Sequence, residues 1–124
     1  MCTTLVIKGR PITKKNSSQI VINKTTGRPF IIPSKQYKQY EQNAGWQLQN
    51  KGIMIDYPVN VQCVYYMPTH HKVDLVNLIE ATLDILVKYK VLADDNSNIV
   101  VSHDGSKVLH DKDEPRAEIE IAKI

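Results

Sequence analysis

Asp74, Asn77, Glu80 and Asp84 recur at intervals of three and four along DLVNLIEATLD, and Asp94-Asp95-Asn96 follows further on. Side chains at such intervals share one stripe of an α-helix. A hard cation such as Mg²⁺ takes oxygen ligands, commonly one or two carboxylates completed by water and a substrate phosphate. A carboxylate at a helix start and another on a turn beside a neighbouring strand can supply them, and an ion so held assists phosphodiester hydrolysis. The bland alternative is equally concrete: Asp74 caps a helix, its polar face is solvated, and Asp94-Asp95-Asn96 is an ordinary turn. Asp74 and Asp84 lie ~15 Å apart along a helix axis, so one ion cannot join both directly. Asp74, Asn77 and Glu80 can share one.

Cations surround these acids in the chain. His70, His71 and Lys72 precede Asp74; Arg10, Lys14, Lys15 and Asn16 follow the first apolar run; Lys35 and Lys38 open a later helical stretch. Gathered on one face, they would contact nucleic-acid phosphates, the main source of affinity and of salt dependence. Each lysine taken singly is simply solvated, as Lys24, Arg28 and Lys123 are expected to be. The His70-His71 pair lacks a third His or Cys at zinc-ligand spacing. His71 is a possible phosphate contact or general acid; His103 and His110 are assigned nothing.

The elements that must position these residues follow from periodicity. Thr3–Lys8, Gln19–Asn23, Pro29–Ile32, Val59–Met67, Asn98–Ser102 and Arg116–Ala122 read as strands, and the KTTGR turn joins the second and third in a hairpin. Ser34 is placed to cap a helix running to about Asn50, with Tyr37, Tyr40, Ala44 and Leu48 on its inner face and Gly52 at its end. Trp46 lies off that stripe and is expected at a partly buried edge. The segment SHDGSKVLHDKDEP reads as polar and hairpin-like. With Asp74 at zero on a helical wheel, Leu75, Val76, Leu78, Ile79, Leu83, Ile85, Leu86 and Val87 span roughly 20° to 220°. That is a core face, with Thr82 its single polar member. Asn77, Glu80, Asp84 and Lys88 occupy the opposite side. Helices and strands so mixed predict one α+β domain over residues 1–124, a mixed sheet carrying two packed helices.

Composition sets the bounds. The chain has 124 residues, 42% hydrophobic and 23% charged, which is too apolar for a disordered protein. No apolar run approaches the ~20 residues of a membrane helix. MCTTLVIKGRP lacks a signal-peptide layout, so a cytoplasmic location is expected. Cys2 and Cys63 are too few and too distant for a disulfide framework. A net charge of +3 permits nucleic-acid binding without requiring it.

The stretch DLVNLIEATLDILVKYKVLADDNSNIV resembles the signature of RusA-type Holliday junction resolvases, small dimeric endonucleases often encoded by prophages. Asp74, Leu75, Asn77 and Leu78 match the Asp-Leu-Asp-Asn-Leu opening, Asp84 the internal Asp, and Asp94-Asp95 the closing pair. KKNS after the first strand and RAEIEI near the end also fit. The resemblance implies a homodimer that cuts four-way junctions or other branched DNA in recombination and repair, using Mg²⁺, with Mn²⁺ as a substitute. It places the essential metal-binding carboxylates at Asp74, Val76 and Asp95, and an active lysine at Glu80. Valine cannot bind metal. Glu80, one turn further on, is therefore expected to replace it, giving Asp74, Asp95, Asp94 and Glu80 as ligands, with Asn77 orienting water or a ligand and Asp84 in a supporting role. The other outcome is a degenerate site that binds branched DNA without cutting it. A third reading, an interaction protein whose acids are only cap and turn, would bind no divalent metal.

Overall fold

A computed structural model describes residues 2–14, 18–49 and 53–124. The elements run β1 (Cys2–Lys8), β2 (Ser18–Ile22), β3 (Pro29–Pro33), α1 (Lys35–Leu48), β4 (Val59–Met67), α2 (Leu75–Lys88), β5 (Val100–Ser102), β6 (Lys107–His110) and β7 (Arg116–Lys123). The main sheet is ordered β1-β7-β4-β5, with β6 also on β4. β7 runs antiparallel to both β1 and β4, whereas β5 and β6 are parallel to β4. β2 and β3 form a separate hairpin. The architecture is the expected α+β arrangement of a mixed sheet and two helices.

Strand alternation puts one sheet face inside. Val59, Val61, Cys63, Tyr65 and Met67 of β4 are buried, as are Leu5 and Ile7 of β1 and Ala117, Ile119 and Ile121 of β7. Registry stacks them in rows, Leu5–Ile119–Cys63 and Ile7–Ala117–Tyr65. Tyr40, Ala44 and Leu48 of α1 and Leu78, Ile79, Ile85 and Leu86 of α2 complete the core. Thr82, the polar member of the inner arc, donates to the Leu78 carbonyl (2.9 Å) and pairs with the Tyr65 hydroxyl (2.6 Å), so its burial leaves no orphan. Gly45 admits Tyr89, because a Cβ there would run into the ring.

Several details depart from the sequence reading, Trp46, 74% exposed instead of partly buried, among them. Val76 is 66% exposed rather than in the core: it lies at the margin of the inner arc, while Leu75 and Leu78 of the same turn pack inward. Residues 98–99 belong to a turn, and the strand begins at Val100. The segment after Ser102 is no hairpin: it carries β6, which extends the same edge of β4 that β5 begins. Gly52, assigned to the end of α1, lies outside the described residues.

The end of α2 controls where the acidic turn goes. Lys90 has φ +62°, the Val91 amide donates to Leu86 O (2.8 Å) and the Lys90 amide to Val87 O (3.1 Å). This is a Schellman cap with a lysine where glycine is usual. The chain then reverses, burying Val91 and Leu92 and bridging Leu92 to Ile55. A non-glycine side chain in this conformation costs about 1 kcal/mol. Lys90→Gly is therefore expected to stabilise the fold by up to about that amount in urea unfolding; unchanged or lower stability would contradict the strain.

Candidate active site

Asp74 is the N-cap of α2. Its Oδ1 accepts from the amides of Val76 (3.0 Å) and Asn77 (3.3 Å). Both bonds use one oxygen, so Oδ2 takes no part in the cap. Asp74→Ala is expected to cost about 1 kcal/mol through loss of the cap, while Asp74→Asn retains most of it. Thermal unfolding of the two variants measures the difference; equal losses would mean that the cap contributes little.

Glu80 and Asp84 follow on the outer stripe, four residues apart, which makes them neighbours on the helix. Asp84 is half-buried and meets the cation of the first loop: Lys14 Nζ lies 3.7 Å from its Oδ2. Burial raises the Asp84 carboxyl pKa above its ordinary value; Lys14 opposes this, and the charges of Asp95 and Glu80 raise it further. Asp95, delivered by the reversal after Lys90, thus stands within electrostatic range of Asp84.

Asp94 is turned inward on its own loop. Its Oδ1 accepts from the Asp95 amide (2.7 Å) and its Oδ2 from the Asn96 side chain (3.1 Å). Asn96 in turn accepts from the Asn98 amide (3.0 Å). Asp94 shapes the loop, and Asp95 is the residue of the pair whose charge reaches α2. Tyr37 of α1, absent from the sequence-based list, adds a buried hydroxyl with no hydrogen-bond partner. Burial raises its pKa, as do the charges of Glu41 and Asp84 in that order.

A groove of about 230 Å³ is lined among others by Arg10, Thr13, Gln36, His71 and Lys72; Lys14, next to Thr13 in the chain, is the residue that pairs with Asp84. Three DNA-contact candidates from separate segments meet here: Arg10 follows β1, and His71 and Lys72 precede α2. The loop that carries them is held from below. His70 stacks on His110 of β6, with ring centroids 3.8 Å apart, and His110 Nε2 lies 3.2 Å from Pro68 O. The Asp111 amide also donates to Met67 O (2.9 Å). His110 therefore has a structural part that its polar sequence context did not reveal. Lys35 and Lys38 lie exposed on the first turn of α1, where Gln36 enters the groove. Lys15 and Asn16 lie outside the described residues.

The donor set is wholly oxygen: Asp74, Glu80, Asp84 and Asp95. Among the described residues no three His, Cys, Asp or Glu side chains converge tightly enough to hold a metal by themselves. The set suits a hard cation that keeps several waters and takes further ligands from a substrate phosphate. Mutual repulsion among Glu80, Asp84 and Asp95 is what such an ion would relieve. Asp84, expected in a supporting role, is the next residue after Glu80 along the outer stripe and pairs with Lys14.

The description "Endodeoxyribonuclease RusA" matches residues 8–122. The chain is 30% identical over 94 residues to the crossover junction endodeoxyribonuclease RusA of Aquifex aeolicus (strain VF5), covering 74% of this chain and 71% of that protein. No helix among the described residues is long and apolar enough to cross a membrane. With nearly its whole length matched, the chain belongs to the RusA family of endodeoxyribonucleases, enzymes that hydrolyse DNA phosphodiester bonds.

Proposed function

We propose that the protein resolves four-way DNA junctions in recombination and repair, as a homodimer that uses a divalent cation, Mg²⁺ or in its place Mn²⁺. The observation that carries this reading is the ion pair of Lys14 with Asp84, on the same segment whose Arg10 and Thr13 line a groove with His71 and Lys72. A phosphodiester needs cations to seat its flanking phosphates and carboxylates at the scissile one.

Asp95, Asp84 and Glu80 would hold the ion, together with water and substrate phosphate, while Asp74, ~15 Å from Asp84 along the axis of α2, would keep its free Oδ2 for a separate contact at the helix start. When bound, the ion supplies charge neutralisation at the phosphate and a more acidic water. Arg10 and Lys72 seat the DNA backbone. His71, at the groove wall, is placed to give a proton to the departing 3′ oxygen. Lys14, beside Asp84, offsets negative charge as the acidic edge approaches DNA. Asn77 orients a water or ligand near the cap. Two copies about a two-fold axis match a junction nicked on two strands.

Cleavage of a synthetic four-way junction with Mg²⁺, and its loss in EDTA, is the expected result; junction binding without any cut in Mg²⁺ would overturn it. The exposed Val76 beside Asp74 favours that second outcome, because the family resemblance places a carboxylate there. Glu80→Gln decides the matter of replacement: full activity would mean that Glu80 does not stand in for the missing acid.

A further inference from the structure

Trp46 is 74% exposed, contrary to the partly buried edge expected for it. Burying a tryptophan is strongly favourable, so an isolated indole in water calls for an explanation. Its neighbours supply one. On the α1 wheel Lys35, Gln39, Gln42, Trp46 and Gln49 fall within about 40° of one line, flanked by Lys38 and Asn43. All of them are exposed. The strip has two lysines and no carboxylate. The acid of this helix, Glu41, is turned away into an ion pair with Lys88 of α2.

We propose that this face of α1 is a second DNA contact, in which the amides and lysines follow a strand and Trp46 stacks on an unpaired base. The inference rests on the proposed nuclease function and extends it. The strip starts close to the cationic groove, since Gln36, the second residue of α1 and next in sequence to Lys35, lines that groove. Ten residues of helix carry the surface ~15 Å from Gln36 to Trp46. At ~3.4 Å per step, that is roughly four or five nucleotides beyond the groove. Aromatic stacking accepts any base, but only where the base is out of its pair. Such bases occur at the crossover or frayed arms of a branched substrate. A second copy of the chain is a poorer occupant: Trp46 is the only large exposed hydrophobic residue on α1, and like charges at Lys35 and Lys38 would face one another.

The chain has one tryptophan, so its fluorescence reports this position alone. Titration in EDTA with oligothymidylate and with a four-way junction is expected to quench Trp46, whereas blunt duplex leaves it nearly unchanged. Trp46→Ala should weaken oligothymidylate binding roughly tenfold by anisotropy of labelled DNA, and Trp46→Phe should restore most of it. A junction that is bound and, with Mg²⁺, cut while Trp46 emission stays unmoved would overturn the strip and leave the nuclease reading intact. A blue shift on concentrating the protein without DNA would assign the face to a second copy instead. No binding of any DNA would remove both proposals.

Discussion

Asp84→Asn is expected to lower junction cleavage by on the order of 10²–10³-fold while making the folded protein more stable at neutral pH. The loss would follow from removing one of the carboxylates proposed to hold the cation that neutralises charge at the reacting phosphate. The gain follows from the environment of Asp84. Burial, Asp95 and Glu80 together raise its pKa in the fold despite Lys14, from an ordinary 3.8. The folded state thus binds a proton that the unfolded chain has already released. Stability from this group is complete below the unfolded pKa and is lost as pH rises through the folded value. The asparagine variant has no such loss, so its advantage over the parent should grow with pH across the carboxylate range and then level off. Parallel urea unfolding at acidic and neutral pH, beside a cleavage assay, measures both effects. Adding Mg²⁺ should raise the melting temperature of the parent more than that of the variant, because only an ion that binds the native state stabilises it. A variant that cuts normally would remove Asp84 from the site.

The Arg10→Ala and Lys72→Ala double variant is expected to weaken junction binding by roughly one to two orders of magnitude at low salt. The slope of log affinity against log salt should fall by about two, one unit for each phosphate contact removed. Both residues line the same groove, from segments far apart in sequence. Folding should change little, since both are exposed. An unaltered slope would mean that the backbone of the DNA runs elsewhere.

Much of this arrangement was legible in the chain because its periods are strong. The inner arc of α2, the Ser34 and Asp74 caps, and the alternation of β4 and β7 each identify an element from local pattern alone. The way the acids combine was less accessible. Whether Asp95 approaches the start or the middle of α2 depends on the reversal at Lys90 and the bridge from Leu92 to Ile55, which join residues far apart in sequence. β6 was missed because KVLH is short and exposed at every residue, without the alternation that marks a half-buried strand. Trp46 was misplaced because an indole off the core stripe is usually drawn against a neighbour, and here none covers it.

The interrupted edge formed by β5 and β6 has a consequence for solubility. The two pieces extend β4 at Val59–Asn60 and again at Val64–Met67. Between them the chain turns a corner at Gly105, where φ is +87°. Across that corner Ser106 Oγ accepts from the Cys63 amide (3.0 Å), and the Asn60 side chain accepts from the Ser102 hydroxyl and the Asp104 amide. A straight strand here would offer an unbroken ladder of amides and carbonyls, with Val101, Val108 and Leu109 exposed beside it. Such a ladder invites another chain to add on without limit. Split into two short runs by a kink, the same residues cannot template a growing fibril, and the protein can present an apolar border without polymerising through it.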